Sequence, residues 1–504
     1  MPLNSLLPHA PPGTRWLLWA VFALHLLLGA SLGLSVDEAH YLLYAAHPAW
    51  SYFDHPPLVG WSQWPLVTLG APVALLRLLP GLLWLGTAAA AGRLAMQLAP
   101  AQHAAAAGQW AVLALLLAPL LHILGIGLLP DTLLMFLGVL LMGQTRVLMQ
   151  PAAAVRPAQW LWLGLLLGLA GLSKYTAILA ALAVTTCLIA AHGVAVLRNP
   201  WLWCSAALAL LCVSPVLAWN LQNHWISFTY QAQHGAGHTW QGMNVLRFLL
   251  LQLLAYGPLL CWGGMGLRRV AHPSQRYLVL FFVIPFALLA ALSGGGSGLP
   301  HWTAPAWVAL APFAGVGLAL SAQSRARRSV LLLAAVQALL CLALPALMLS
   351  AGQPFLAQRA ASAEATDPPN PFADLHGWDA AGHRARELAA QHALGSVSVQ
   401  NWTLASRMGW YARPLPVHVL EDRFDQFDFW AGKLPPGGAT LLVDWSQMPY
   451  VLPLGVHGFG RCDLLDTQQV SRWGQHVATF RFYACQGWSG DPRPQLQAAT
   501  ASPS

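Results

Sequence analysis

The chain is a succession of long apolar runs broken by short polar connections, followed by a tail in which the runs shorten. Runs of roughly 17 to 25 apolar residues are long enough to cross a bilayer as helices. Such runs lie near 15–34, 72–98, 104–124, 128–149, 159–173, 175–193, 202–219, 245–266, 277–293, 302–320 and 330–350. These eleven segments predict a polytopic α-helical membrane protein. The first reads as a retained helix, because no small-residue cleavage site follows it. Segment 56–70 is apolar but shorter, rich in Pro and Trp, and reads as a helix lying at the interface.

In the tail, Pro, Gly and Asp punctuate short runs. There "SVSVQ", "TLLVDW" and "HVATFRFYA" predict strands and "TLASRMGWYA" a helix, so a small extracytoplasmic α/β domain is expected. The stretch "SAEATDPPNPFADLHGW" that precedes them reads as an irregular linker. The expected division is a membrane domain over 1–350, with a large first outer loop at about 35–71, and a soluble domain over 351–504.

Composition supports the membrane reading. Hydrophobic residues make up 57% of the chain and charged residues 8%, against roughly 25% charged in soluble proteins. With the amino terminus inside, Arg15, Arg93, Arg146, Arg156, Arg198, Arg268, Arg269, Arg276, Arg325, Arg327 and Arg328 all fall on the cytoplasmic side. Arg77, Lys174 and Arg247 are the exceptions. An odd number of spans then places the tail outside, in the periplasm of a bacterial inner membrane. The net charge of +8 is largely this orientation signal and calls for no nucleic-acid partner.

Carboxylates are scarce before residue 351. Only Asp37, Glu38, Asp54 and Asp131 of the 17 acidic residues occur there. In the expected topology all four lie at the outer face, with Lys174 and His301 of "GGGSGLPHW". Ionisable groups beside lipid are costly and tend to mark function. A carboxylate partly desolvated at this boundary gains basicity and is able to take a proton from an alcohol. Lys174, His55 and His301 offer the charge and donors to hold a phosphate. Each residue also has a plain structural reading: Asp37 and Glu38 in a first helical turn, Asp131 after Pro130 at a helix start, Lys174 snorkelling, and His55 shaping a turn before Pro56 and Pro57. Most of the 24 Trp residues, among them Trp50, Trp61, Trp64, Trp225, Trp240 and Trp302, read as interfacial anchors.

Cys187, Cys204, Cys212, Cys261 and Cys341 lie in predicted spans as small apolar filling. Cys462 and Cys485 are the one pair in the tail and a disulfide candidate in an oxidising compartment. No CxxC, HExxH or phosphate-binding glycine loop occurs, which argues against ATP-driven and zinc-protease chemistry. Asp37, Glu38 and His55, with Asp54 and His301, are candidate ligands for a divalent ion, although their spacing forms no metal motif. No cofactor is required, and a divalent metal stays possible.

The run "DEAHYLLYAAHPAWSYFDHPPLVGW" resembles the first outer loop of bacterial GT-C membrane glycosyltransferases of the dolichyl-phosphate-mannose protein mannosyltransferase-like superfamily. That group includes the aminoarabinose and galacturonic acid transferases of lipid A. Further similar elements follow in order: "LLPDTLLMF", "GLSKYTAIL", "SPVLAWNLQNHWISFTYQAQHG", "LPHWTAPAWVAL" and "LASRMGWYARPLPVHVLEDRFDQFDFW". The resemblance implies a GT-C fold of about 11 transmembrane helices. It also implies inverting transfer of a sugar from a polyprenyl-phosphate donor to a lipid, glycan or protein hydroxyl at the outer face of the membrane. Carried to this chain, it implies Asp37 as catalytic base with Glu38 in support. Lys174 would bind the donor phosphate, with His55 and His301 as neighbours and Asp54, Asp131 and Tyr175 supporting the cavity. One departure stands out: the aminoarabinose branch has a Glu-Lys pair before the double proline, and this chain has Asp54-His55, a titratable imidazole in place of a permanent charge.

Two rival readings are a transporter or flippase and a non-catalytic binder of polyprenyl carriers. A transporter would bring ionisable groups to the bilayer midplane, often in repeated halves. A binder would need the phosphate-holding groups but no base.

Overall fold

The structure, a computed structural model, describes residues 12–151, 155–237, 239–296, 298–321, 324–353 and 367–492. The first part of the expected linker, 362–366, lies outside the described residues. By contact the chain forms two compact units, Met1–Leu27 with Pro48–Leu342, and Leu28–His47 with Ala343–Ser504.

The first unit is a helical bundle, the solution a lipid environment imposes because backbone polar groups must be satisfied within the segment. All eleven apolar segments are helical. Among the described residues nine helices are long and apolar enough to cross a membrane, or ten if one bent pair counts as a single span. The bent pair is the expected span 104–124. It breaks into Ala104–Leu116 and Pro119–Ile126, with an 80° bend. Pro119 carries no N–H and disfavours helical geometry in the residue before it, and Ala118 duly takes φ −107°, ψ 97°. The remaining segment, Pro157–Ser173, has 17 residues. At 1.5 Å per residue that is about 26 Å, slightly less than the roughly 30 Å hydrocarbon core.

Ala304–Ala319 lies at the centre of the bundle, buried on nearly every side. It approaches Gly242–Leu267 so closely that a Cβ on Gly317 would stand 2.6 Å from the Trp262 carbonyl oxygen. Small residues at such crossings let packing replace the missing hydrophobic drive between helices in lipid. Pro200–Gln222 and Leu331–Ser350 instead turn most of their side chains outward, as lipid-facing helices do.

The second unit is built on a five-stranded sheet ordered β2-β1-β3-β5-β4. Its strands are β1 (Val397–Val399), β2 (Val417–Val419), β3 (Thr440–Trp445), β4 (Phe459–Arg472) and β5 (Gln475–Trp488). β1 pairs in parallel with β2 and β3, while β5 runs antiparallel to β3 and β4. All six residues of β3 are buried, as suits a central strand. β4 and β5 join through Trp473 and Gly474, both at positive φ, the geometry a two-residue hairpin demands. Cys462 and Cys485 are opposite partners on these strands and form a disulfide. The helix Val36–Ala46, which follows the first apolar span, belongs to this unit and packs on the helix Trp402–Tyr411.

Candidate active site

In the bundle unit the scarce ionised residues come together. Asp131 sits in the first turn of Pro130–Leu148, where the helix dipole favours a carboxylate. Lys174 caps the C-terminus of Pro157–Ser173 in an extended conformation, with its N–H bonded to the Ala170 carbonyl. Both side chains are buried, and Lys174 Nζ donates to both Asp131 carboxylate oxygens at 2.7 Å. His301 Nε2 is 3.9 Å from Asp131 Oδ2, and the Trp302 ring centre is 5.6 Å from Nζ. A buried pair of this kind is strongly interdependent, since removing one partner leaves a charge without compensation.

The turn that carries His301 is anchored by residues the sequence reading missed. Gln252 Nε2 and Tyr256 Oη donate to the Pro300 carbonyl, at 3.2 and 3.3 Å. Gln252 Oε1 accepts from Thr303 Oγ1 and from Trp307 Nε1. A buried amide inside the apolar run 245–266 was the available signal, because such a group needs partners.

The segment around Asp54 and His55 is held by Ile226–Ala236. Ser227 Oγ donates to the Tyr52 carbonyl at 2.9 Å, Gln231 Nε2 donates to the Asp54 carbonyl, and the Phe53 and Tyr230 rings are 4.6 Å apart. Asp54 and His55 pair with each other, Oδ2 to Nδ1, at 3.1 Å. Tyr175, next to Lys174, packs its ring against Phe228, with ring centres 5.1 Å apart. Beside Trp302 and Thr176 runs an apolar groove lined by Leu134, Gly138, Leu179 and Phe281 among others.

In the second unit, Asp37 and Glu38 occupy the first turn of Val36–Ala46. The cap is Ser35, whose Oγ accepts from Glu38 N at 3.3 Å. Asp37 is half-buried and Glu38 buried. The Val36 N–H donates to Asp374 Oδ2 at 3.3 Å, and Asp374 is ion-paired with the fully buried Arg407. Neither Asp374 nor Arg407 was singled out by sequence.

Among the described residues no three or more His, Cys, Asp or Glu side chains are grouped to hold a metal ion.

Residues 54–219 match the family described as dolichyl-phosphate-mannose-protein mannosyltransferase. The whole chain is similar in fold to ArnT from Cupriavidus metallidurans in the apo state, with TM-score 0.63 at 17% identity, covering 96% of this chain and 100% of that one. The same protein bound to undecaprenyl phosphate gives TM-score 0.62 at 16% identity, with the same coverage. No curated protein matches the chain in sequence. The fold is therefore GT-C, a multi-pass membrane bundle with an α/β domain at its C-terminal end. The family match covers residues 54–219, about a third of the chain, and the likeness to ArnT is one of fold.

Proposed function

We propose that the protein transfers a sugar from a polyprenyl-phosphate donor to a hydroxyl of a lipid, glycan or protein at the outer face of the inner membrane. The observation that carries this reading is Lys174, buried in the bundle, gripped by both oxygens of Asp131 and flanked by His301 and Trp302. An ammonium held in this way keeps a further N–H for a phosphate oxygen, in surroundings that strengthen the interaction. The apolar groove beside Trp302 suits a prenyl chain, and the bound ligand of the similar ArnT structure, undecaprenyl phosphate, supports the same donor class.

In this mechanism a carboxylate oxygen of Asp37 takes the proton of the acceptor hydroxyl. The freed oxygen attacks the anomeric carbon from the face opposite the phosphate, and the bond from that carbon to the phosphate oxygen breaks with inversion. The electron pair stays on polyprenyl phosphate, whose charge Lys174, His301 and His55 stabilise. Glu38 orients Asp37, Asp131 holds Lys174 extended, and Asp54 and Tyr175 keep the surrounding loop in place. The amino terminus is cytoplasmic and the tail periplasmic.

The test uses purified full-length protein in nanodiscs with undecaprenyl-phosphate-linked mannose and its pentose and uronic-acid analogues. Asp37→Asn keeps undecaprenyl phosphate binding and loses turnover by at least roughly 100-fold, the lower end of what a positioned base contributes. Lys174→Met weakens undecaprenyl phosphate binding itself. Full turnover in Asp37→Asn would remove Asp37 as the base, and a wild-type protein that binds undecaprenyl phosphate without turnover would be only a binder of polyprenyl carriers.

A further inference from the structure

We propose that Arg407, in the tail, is the positioning residue for the outer helix that carries Asp37 and Glu38, an inference that rests on the transferase reading above. The α/β module is then part of the catalytic machinery, since it sets where the base stands.

Arg407 is fully buried within a soluble module, where an ionised guanidinium is costly unless its surroundings compensate it. Its compensation is specific: the ion pair with Asp374, the Trp378 ring 3.9 Å away and the Trp445 ring at 4.8 Å. The second oxygen of Asp374 accepts from the N–H of Val36, the first residue of the outer helix and one of the N–H groups that a helix start leaves unsatisfied. Arg407, Asp374 and Val36 therefore form one continuous chain that ends one residue before Asp37.

Residues beside Arg407 on the same helix repeat the grip. Ser406 Oγ is 3.1 Å from His40 Nδ1, and Tyr411 Oη accepts from Leu34 N at 3.0 Å. Further support comes from Gly33 N, which donates to the Leu375 carbonyl at 3.0 Å. Apolar packing alone lets a helix slide or roll, whereas hydrogen bonds at 33, 34, 36 and 40 fix its first turn in both respects. Electrostatics points the same way. Burial pushes the Arg407 guanidinium down to about 9, and Tyr411 and Asp37 are the charges that oppose the push.

The experiment measures amide hydrogen exchange and turnover on the full chain in nanodiscs. In Arg407→Met, exchange over 33–46 rises by about tenfold or more while β3 and β5 stay protected. Affinity for undecaprenyl phosphate is unchanged, and kcat with undecaprenyl-phosphate mannose or its analogues falls about 100-fold, as misplacement of a base does. Arg407→Lys, which keeps the charge, recovers part of that loss. Unaltered exchange over 33–46, or a kcat loss that lysine does not reduce, overturns the proposal. If Arg407→Met also unprotects the strands, the milder pair Ser406→Ala with Tyr411→Phe decides: it must loosen 33–46 and lower kcat with the sheet intact, or the proposal fails. A wild-type protein that transfers no sugar, with exchange responding as described, overturns the transferase reading and leaves the mechanical tie standing.

Discussion

Each unit buries a cation against one aspartate and an aromatic ring, and the two do so to different ends. Lys174 meets Asp131 with both carboxylate oxygens at 2.7 Å, and its one aromatic neighbour, Trp302, is 5.6 Å away. Arg407 lies against two indole rings, 3.9 and 4.8 Å away, with Asp374 as its charge partner. Lysine is a compact point charge with rotatable donors, and it suits a ligand that comes and goes. Arginine is a planar fork that stacks and bridges, and it suits a permanent joint. The same pairing of charges would thus make a receptor in one unit and a fastening in the other, as the two proposals require.

Three measurements sharpen this contrast. The largest stability effect belongs to the bundle, where Asp131→Asn leaves Lys174 buried without its counter-charge and costs about 3–5 kcal/mol. Unfolding in detergent should show that loss, and the double variant with Lys174→Met should cost less than the sum of the single changes. Additive losses would mean the two side chains are not an energetic unit.

Next comes the tail alone. Replacing Cys462 and Cys485 by Ser removes the link between β4 and β5 and costs about 2–4 kcal/mol, seen as a lower melting temperature of the tail's transition while the bundle's is untouched. A drop in both transitions would show that the units unfold together.

The smallest effect is a pH slope. Burial raises the Asp425 carboxyl to about 6, against an ordinary value of 3.8. The folded tail then binds more protons than the unfolded chain across that window, so Asp425 makes stability fall as pH rises from about 4 to about 6, and the loss is complete above it. Asp425→Asn keeps the bond that Oδ1 accepts from Phe427 N and removes this slope, a gain on the order of 1–2 kcal/mol at neutral pH. An identical pH profile in the variant would assign the slope to another group.

The bundle was legible in sequence because lipid forces long apolar helices, and each expected segment is helical. What was not read there is the break before Pro119, although the proline was in plain view inside its run. β3 announced itself by the short apolar run in "TLLVDW", but β4 did not, because as an edge strand it exposes most of a polar sequence that carries little alternation. Rarity of charge drew attention to Asp131, Lys174 and His301, and the fold brings both Lys174 and His301 within 4 Å of Asp131. Rarity gave no such help in the tail, where 13 acidic residues occur. There Asp374 sat unnoticed in a stretch read as linker, and only tertiary structure sets it between Arg407 and Val36.

The contact between His40 and Ser406 spans 366 positions of chain. At the ribosome's pace of about 5–20 residues per second, the helix bearing Asp37 waits on the order of 20–70 s for the surface that receives it. Through that interval the helix Val36–Ala46 is without a floor. A message cut short between codons 351 and 402 would keep every membrane helix and leave the acid without its station.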